Sequence, residues 1–150
     1  MRKFSTLALL ASAMIAAPAY ASGEGRVEAR GGIAFAGGAE EAFAGIAAGY
    51  DWDLGDSGFI GVEASADKVL VGGADVLFGG AVRAGIKAGD KGKAYVLGGY
   101  GFTDNADDAF VGVGYQHKLG SKVYGKLEYR MILNQGSNIN FAGVGVGVAF

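Results

Sequence analysis

The chain has 150 residues, 51% of them hydrophobic, and a formal net charge of −2. That length suits a single domain, the slight acidity excludes a nucleic-acid binder that needs a basic face, and the lack of cysteine excludes a disulfide framework and thiolate metal sites. The 29 Gly against one Pro would normally mark low complexity. Here, however, glycine alternates at period two with Val, Ile, Tyr and Phe, an order that disorder does not produce.

Residues 1–21 read as a leader. Arg2 and Lys3 make a positive start, Leu7 to Ala17 is an uncharged apolar run, and Ala19-Tyr20-Ala21 places small residues where a signal peptidase cuts, before Ser22. The run is shorter than the ~20 residues of a spanning helix. The expected organisation is a signal peptide over 1–21 and one β-barrel domain over 22–150.

Eight alternating segments follow in that domain. The first, Arg26 to Phe35, sets Val27, Ala29, Gly31, Ile33 and Phe35 against Arg26, Glu28 and Arg30. The second, Glu41 to Leu54, sets Ile46, Ala48, Tyr50 and Trp52 against Phe43, Asp51 and Asp53. The third, Gly58 to Ala66, sets Ile60, Val62 and Ala64 against Phe59, Glu63 and Ser65. The fourth, Asp75 to Ala88, sets Val76, Phe78, Val82 and Ile86 against Leu77, Arg83 and Lys87.

The fifth, Lys93 to Thr103, sets Val96, Tyr100 and Phe102 against Lys93, Tyr95 and Leu97. The sixth, Ala109 to Leu119, sets Val111, Val113 and Tyr115 against Phe110 and Gln116. The seventh, Lys122 to Leu133, sets Val123, Leu127, Tyr129 and Met131 against Tyr124, Lys126, Glu128 and Arg130. The eighth, Ser137 to Phe150, sets Val144, Val146, Val148 and Phe150 against Gly143, Gly145 and Gly147. Turn residues separate them, including Gly37-Gly38, Gly55-Asp56-Ser57, Gly72-Gly73 and Gly89-Asp90-Lys91-Gly92.

Within these bounds every charged residue lies opposite the aliphatic face, with His117 the ionisable exception. An even number of strands with one apolar and one charged face predicts an all-β fold, an eight-stranded antiparallel up-and-down transmembrane β-barrel whose apolar face meets lipid. Its aromatics then form two belts, Tyr50, Trp52, Tyr115 and Phe150 near the periplasmic end, and Phe35, Phe78, Tyr100, Phe102 and Tyr129 nearer the outer end. The inward face carries Arg26, Glu28, Arg30, Glu63, Arg83, Lys87, Lys126, Glu128 and Arg130. An eight-stranded interior is normally filled and isolated buried charges are costly, so these residues are expected to pair into a plug. A small conduit for ions or solutes is the alternative reading of the same residues. A soluble secreted barrel holding an apolar ligand is a third, but that barrel would carry its charges outside.

Gly112-Val113-Gly114-Tyr115, Leu127-Glu128-Tyr129-Arg130 and the terminal strand from Gly143 to Phe150 resemble the small outer-membrane β-barrels of Gram-negative bacteria, the opacity-protein and OmpA-like transmembrane group. The resemblance spans the chain beyond the leader. It implies outer-membrane localisation, insertion by an assembly machinery that reads Val144, Val146, Val148 and Phe150, contact with outer-membrane lipid, a monomer, and a structural or surface-antigen role. The end reads Val148-Ala149-Phe150 where many relatives have Tyr-Arg-Phe. The short outer connections weaken an adhesin reading. No peptidoglycan-binding domain is expected after Phe150.

Some small barrels of this kind hydrolyse lipids, which takes a serine, an acid and a histidine together. His117 is the only histidine; Ser121 falls in a predicted turn, with no acid placed beside it. No catalytic residue, metal site or cofactor is expected. The Gly-rich runs lack the following helix that a phosphate loop needs, and Glu40-Glu41 and Asp107-Asp108 are expected to be solvated loop charge.

Overall fold

A computed structural model describes residues 23–150 other than Asn105, Gln135 and Ser137. The predicted leader and its cleavage point lie outside these residues. Eight strands run β1 (Gly23–Ala36), β2 (Ala39–Leu54), β3 (Gly58–Val69), β4 (Val76–Ala88), β5 (Gly92–Phe102), β6 (Asp107–Lys118), β7 (Val123–Leu133) and β8 (Ile139–Ala149). Each pairs antiparallel with its sequence neighbours, and β1 pairs with β8 to close the barrel. The seam begins at Gly25 and Phe150, which exchange two backbone hydrogen bonds of 2.8 Å, and continues from Arg26↔Ala149 to Phe35↔Asn140. No strand is left with an unpaired edge along this seam, which removes the usual template for aggregation.

The local chemistry explains the tight connections. Gly37 and Gly38, at φ 58° and 88°, form the two-residue turn that matches the twist of a hairpin, and positive φ at both central positions favours glycine. The shortest strands have 11 residues. At ~3.4 Å per residue and the ~40° tilt usual in closed barrels, such a strand climbs about 28 Å, enough for the ~25 Å apolar band of a membrane barrel.

Polarity is inverted relative to a water-soluble protein. Val82, Val96, Val144, Val146, Ile46, Ile86 and Leu127 are exposed on the outside, while Arg26, Glu28, Asp51, Glu63, Arg83 and Lys126 are buried within. Several strands run further than the sequence pattern predicts. β1 begins at Gly23 instead of Arg26, β2 at Ala39, and β6 at Asp107, while β3 continues to Val69. These extensions put Glu40, Lys68 and Asp107 on the outward register, all at the rim opposite the start of β1.

Outward aromatics gather at the two ends. At the end where β1 starts, Tyr50 and Trp52 lie 5.1 Å apart and Tyr115 lies 6.1 Å from His117, with Phe150 exposed at the seam. Tyr50 keeps the outward register but is only 7% exposed, because its ring lies against Gly23. At the other end Phe35 meets Tyr129 at 6.4 Å and Phe78 stacks on Phe102 at 6.2 Å. Tyr100 is exposed one register step from Phe102 on the same face, and the Tyr129 hydroxyl donates to Asn140 at 2.6 Å.

Candidate functional site: the ionic interior

The alternation of β1 aims Arg26, Glu28 and Arg30 inward on successive steps, and antiparallel pairing brings inward residues of distant strands beside them. Nearest the start of β1, Asp51 from β2 is fully buried. It accepts from Arg83 Nε at 2.8 Å and from Arg83 Nη2, and from Lys93 Nζ at 3.1 Å, while Arg26 Nε stands 3.6 Å away. Lys93 also reaches Glu24 at 2.9 Å. Arg83 lies on the faces of Tyr95 and Phe59, with Cζ 4.6 and 5.3 Å from the ring centroids, an arrangement that favours a cation most when water is excluded.

Deeper in, Glu63 from β3 is the hub. Arg26 Nη1 donates to it at 2.7 Å, Arg30 Nη1 at 3.3 Å, and Arg130 Nη2 donates as well. Glu128 accepts from Arg130 Nε at 2.5 Å, Arg30 Nη1 at 3.4 Å and the Tyr95 hydroxyl at 2.6 Å, and pairs with Lys126 at 3.2 Å. Glu28 takes Lys126 Nζ and, at 2.7 Å, the Tyr124 hydroxyl. Asp67 holds Arg30 through both its Nε, at 2.7 Å, and its Nη2. The bidentate fork explains arginine at this position, since lysine offers no planar pair of donors.

Arg26, Arg30, Arg83, Lys93, Lys126 and Arg130 thus face Glu24, Glu28, Asp51, Glu63, Asp67 and Glu128, six against six. A buried ionic cluster is tolerable only when each charge has opposite neighbours and its lone pairs are occupied. Arg26 Nε and Nη2, Arg83 Nη1 and Gln116 Nε2 lack a hydrogen-bond partner among the described residues. Gln116 spends its Oε1 on Arg83 Nη2 at 3.2 Å, and it lines the open mouth at the start of β1.

Glycines make the room. A β-carbon at Gly49 would strike the Arg26 guanidinium, one at Gly114 the Tyr95 ring, and one at Gly61 both the Asp51 carboxylate and the Tyr50 carbonyl. Gly61→Val is therefore expected to destabilise the barrel by about 1–3 kcal/mol, the usual cost of forcing bulk into a packed interior. Urea unfolding in detergent micelles measures it, and an unchanged midpoint would contradict this packing.

The predicted interior set is placed unevenly. Arg26, Glu28, Arg30, Glu63, Arg83, Lys126, Glu128 and Arg130 meet in the cluster. Lys87 does not: it points inward but pairs with Asp53 at 2.9 Å at the rim, with its side chain 27% exposed. Its position one step from the end of β4 puts it beyond the cluster. Asp51 and Lys93 were placed on the inward face from the sequence but not in the network. Glu24 and Asp67 sit in strand extensions that the periodicity did not reach.

Beyond the ions, toward the far rim, the interior changes character. Phe43 and Phe141 meet edge to face at 5.1 Å, and Phe110, Ile132 and Ala34 join them, with Leu77, Val69 and Ile139 packed alongside. The cavity between this apolar cap and the ions has about 30 Å³, room for no more than about two waters. The interior is an ionic plug under an aromatic cap; the sequence pattern puts Phe43 and Phe110 on the inward face with the charges, and the stagger of the strands gathers them at one rim. Among the described residues no group of three or more His, Asp or Glu could hold a metal ion.

In sequence the chain matches no family model and no curated protein. In structure it is similar to the N-terminal β-barrel domain of OprF from Pseudomonas aeruginosa, at 16% identity and a TM-score of 0.62 over 85% of this chain and 97% of that one. The fold is that of the small outer-membrane β-barrels. Neisserial surface protein A aligns at 13% identity and a TM-score of 0.59, covering 86% of this chain and 97% of its own. Ail, the attachment invasion locus protein of Yersinia pestis, aligns at 11% identity and 0.63, covering 86% and 99%. Like these barrels, the chain closes eight antiparallel strands. At such identities the likeness is one of backbone, and the charged interior has to be understood from this chain's own residues.

Proposed function

We propose that this protein is a non-enzymatic, monomeric integral protein of a Gram-negative outer membrane, with a structural or surface-antigen role and a filled interior. One observation carries the reading: a closed barrel whose outside is aliphatic between two aromatic levels and whose inside is ionic. In water that arrangement would expose a band of Val, Ile and Leu around the whole molecule, far beyond the few hundred Å² a soluble monomer tolerates. In a bilayer it satisfies every strand. The N-terminus faces the periplasm, so the short turns at the start of β1 are periplasmic. The connections at 37–38, 70–75, 103–106 and 134–138 are external. Their shortness favours an envelope role over attachment through long loops.

The test is membrane fractionation with gel mobility before and after boiling. The protein is expected in the outer membrane, running faster unboiled. A soluble periplasmic protein with one mobility would overturn the reading. The plug is tested separately in planar bilayers, where the aromatic cap and paired ions predict no large, stable open-channel current. A steady conductance would favour the conduit instead.

Assembly gives a further expected result. Phe150 ends the outward face of the closing strand and is fixed to Gly25 through its backbone, so Phe150→Ala is expected to lower outer-membrane levels more than Val144→Ala. Quantitative immunoblots of membrane fractions check it, and equal levels would remove the signal role from Phe150.

A further inference from the structure

The open mouth at the start of β1 is a vestibule of about 510 Å³ that reaches down to Lys93 and Gln116. These two face each other directly across β5 and β6, and Lys126 of β7 stands opposite Gln116 on its other side. The amide therefore lies between two inward lysines. Gln116 is only 1% exposed, and its Oε1 accepts from Arg83 Nη2 at 3.2 Å. That contact fixes which way the amide points, because a guanidinium can only donate. Nε2 is left as a buried donor on the vestibule floor, with no partner among the described residues.

Arg26 Nε and Nη2 and Arg83 Nη1 share this condition. All four orphaned atoms are nitrogens that donate, and no buried side-chain oxygen of the described residues is left in the same state. What the floor lacks is an acceptor. The carboxylates around it are committed: Asp51 to Arg83 and Lys93, Glu24 to Lys93 and Lys118, and Glu28 to Lys126 and Tyr124. Nearer the opening, Asp53 pairs with Lys87, while Asp56, Asp90 and Lys91 lie on exposed turns.

The charge balance agrees. Lys118 reaches Glu24 at 3.1 Å, so it joins the six cations named above, and the connected ion pairs then hold one cation more than they hold carboxylates. A water accepting from Nε2 would leave that excess in place and would need acceptors for its own protons. A monovalent anion meets both needs, and exclusion of bulk water strengthens its attraction to the lysines. We propose that the vestibule floor binds a small monovalent inorganic anion of the chloride class, which accepts from Gln116 Nε2 beside the Lys93 ammonium. The site depends on the closed barrel and its inward face, and not on what surrounds the outside.

The experiment uses the full barrel folded in zwitterionic detergent micelles, titrated with sodium chloride against sodium gluconate at equal ionic strength. The side-chain amide NMR signal of Gln116, identified by its loss in Gln116→Glu, is expected to shift saturably with chloride and to stay still in gluconate. Chloride is also expected to raise the folding equilibrium constant about tenfold once its concentration is about ten times the dissociation constant, read from urea unfolding. Gln116→Glu supplies a fixed carboxylate in place of the ion. It is expected to remove the chloride dependence while unfolding in gluconate at no lower urea concentration than the parent chain. Lys68→Gln, at the opposite rim, is expected to keep the full response. A Gln116 signal that does not move, or that drifts without saturating, would overturn the site. So would a chloride dependence that survives in Gln116→Glu. Failure of Gln116→Glu to fold would count equally against it, since a floor short of an acceptor should accommodate a carboxylate.

Discussion

Glu63→Ala is expected to destabilise the barrel by about 3–5 kcal/mol, the usual cost of removing one partner from a buried ionic group. Glu63 accepts from Arg26, Arg30 and Arg130, and Lys126 stands 4.0 Å away. Without it, Arg26 keeps Asp51 at 3.6 Å and Glu28 at 3.9 Å, neither within a direct hydrogen bond. Arg30 falls back on Asp67, and Arg130 on Glu128. Six cations then confront five carboxylates in a space closed by aromatic rings. Glu63→Gln should cost less, because an acceptor oxygen remains. Trp52, the only tryptophan, reports unfolding by urea through its fluorescence in lipid vesicles. A loss below about 1 kcal/mol, the level typical of a surface ion pair, would mean that the cluster is wet and loosely coupled.

Val82→Arg is expected to cost about 2–4 kcal/mol, as charged residues do at the midplane of a membrane barrel. Val82 lies midway along β4, 54% exposed, opposite Val62 on one side and Gly98 on the other. In a water-soluble barrel the same change at an exposed site would stay within about 0.5 kcal/mol. The next residue, Arg83, is buried and paired with Asp51, so a single step along the chain separates a site that rejects arginine from one that requires it. Unfolding from vesicles, followed again at Trp52, gives the number. A neutral result would remove lipid from the outside of the barrel.

Strand order and face assignment were readable because both follow from period-two alternation and glycine-rich turns, which are local. The cluster was readable only in part. Charge on the inward face identifies candidates, but partners such as Arg83 and Asp51 are 32 residues apart, and which of them meet depends on the stagger of the whole barrel. Asp67 was missed because the pattern weakens after Ala66, although β3 runs to Val69 with no turn residue before Gly72. Glu24 sits between two glycines, Gly23 and Gly25, that resemble a flexible lead-in but are held by pairing with Trp52 and Tyr50 of β2. Lys87 shows the converse error, since a correct face does not fix depth. The aromatic cap had a visible signal in inward Phe43, Phe110 and Phe141, which all fall toward the same rim. That level becomes evident only once the strands are staggered.

The seam between β1 and β8 also has a kinetic meaning. It joins Gly25 to Phe150, nearly the full span of the described chain, so the pairing that closes the molecule is also the most distant in sequence. Every other hairpin can form between neighbours, but this contact must wait for β8, and long loop closures slow folding. Until then two strand edges stand open, and Glu28 of β1 is separated from Tyr124 and Lys126 of β7, its partners across β8. Closure therefore completes the wall and brings together the two sides of the ionic cluster in a single late event.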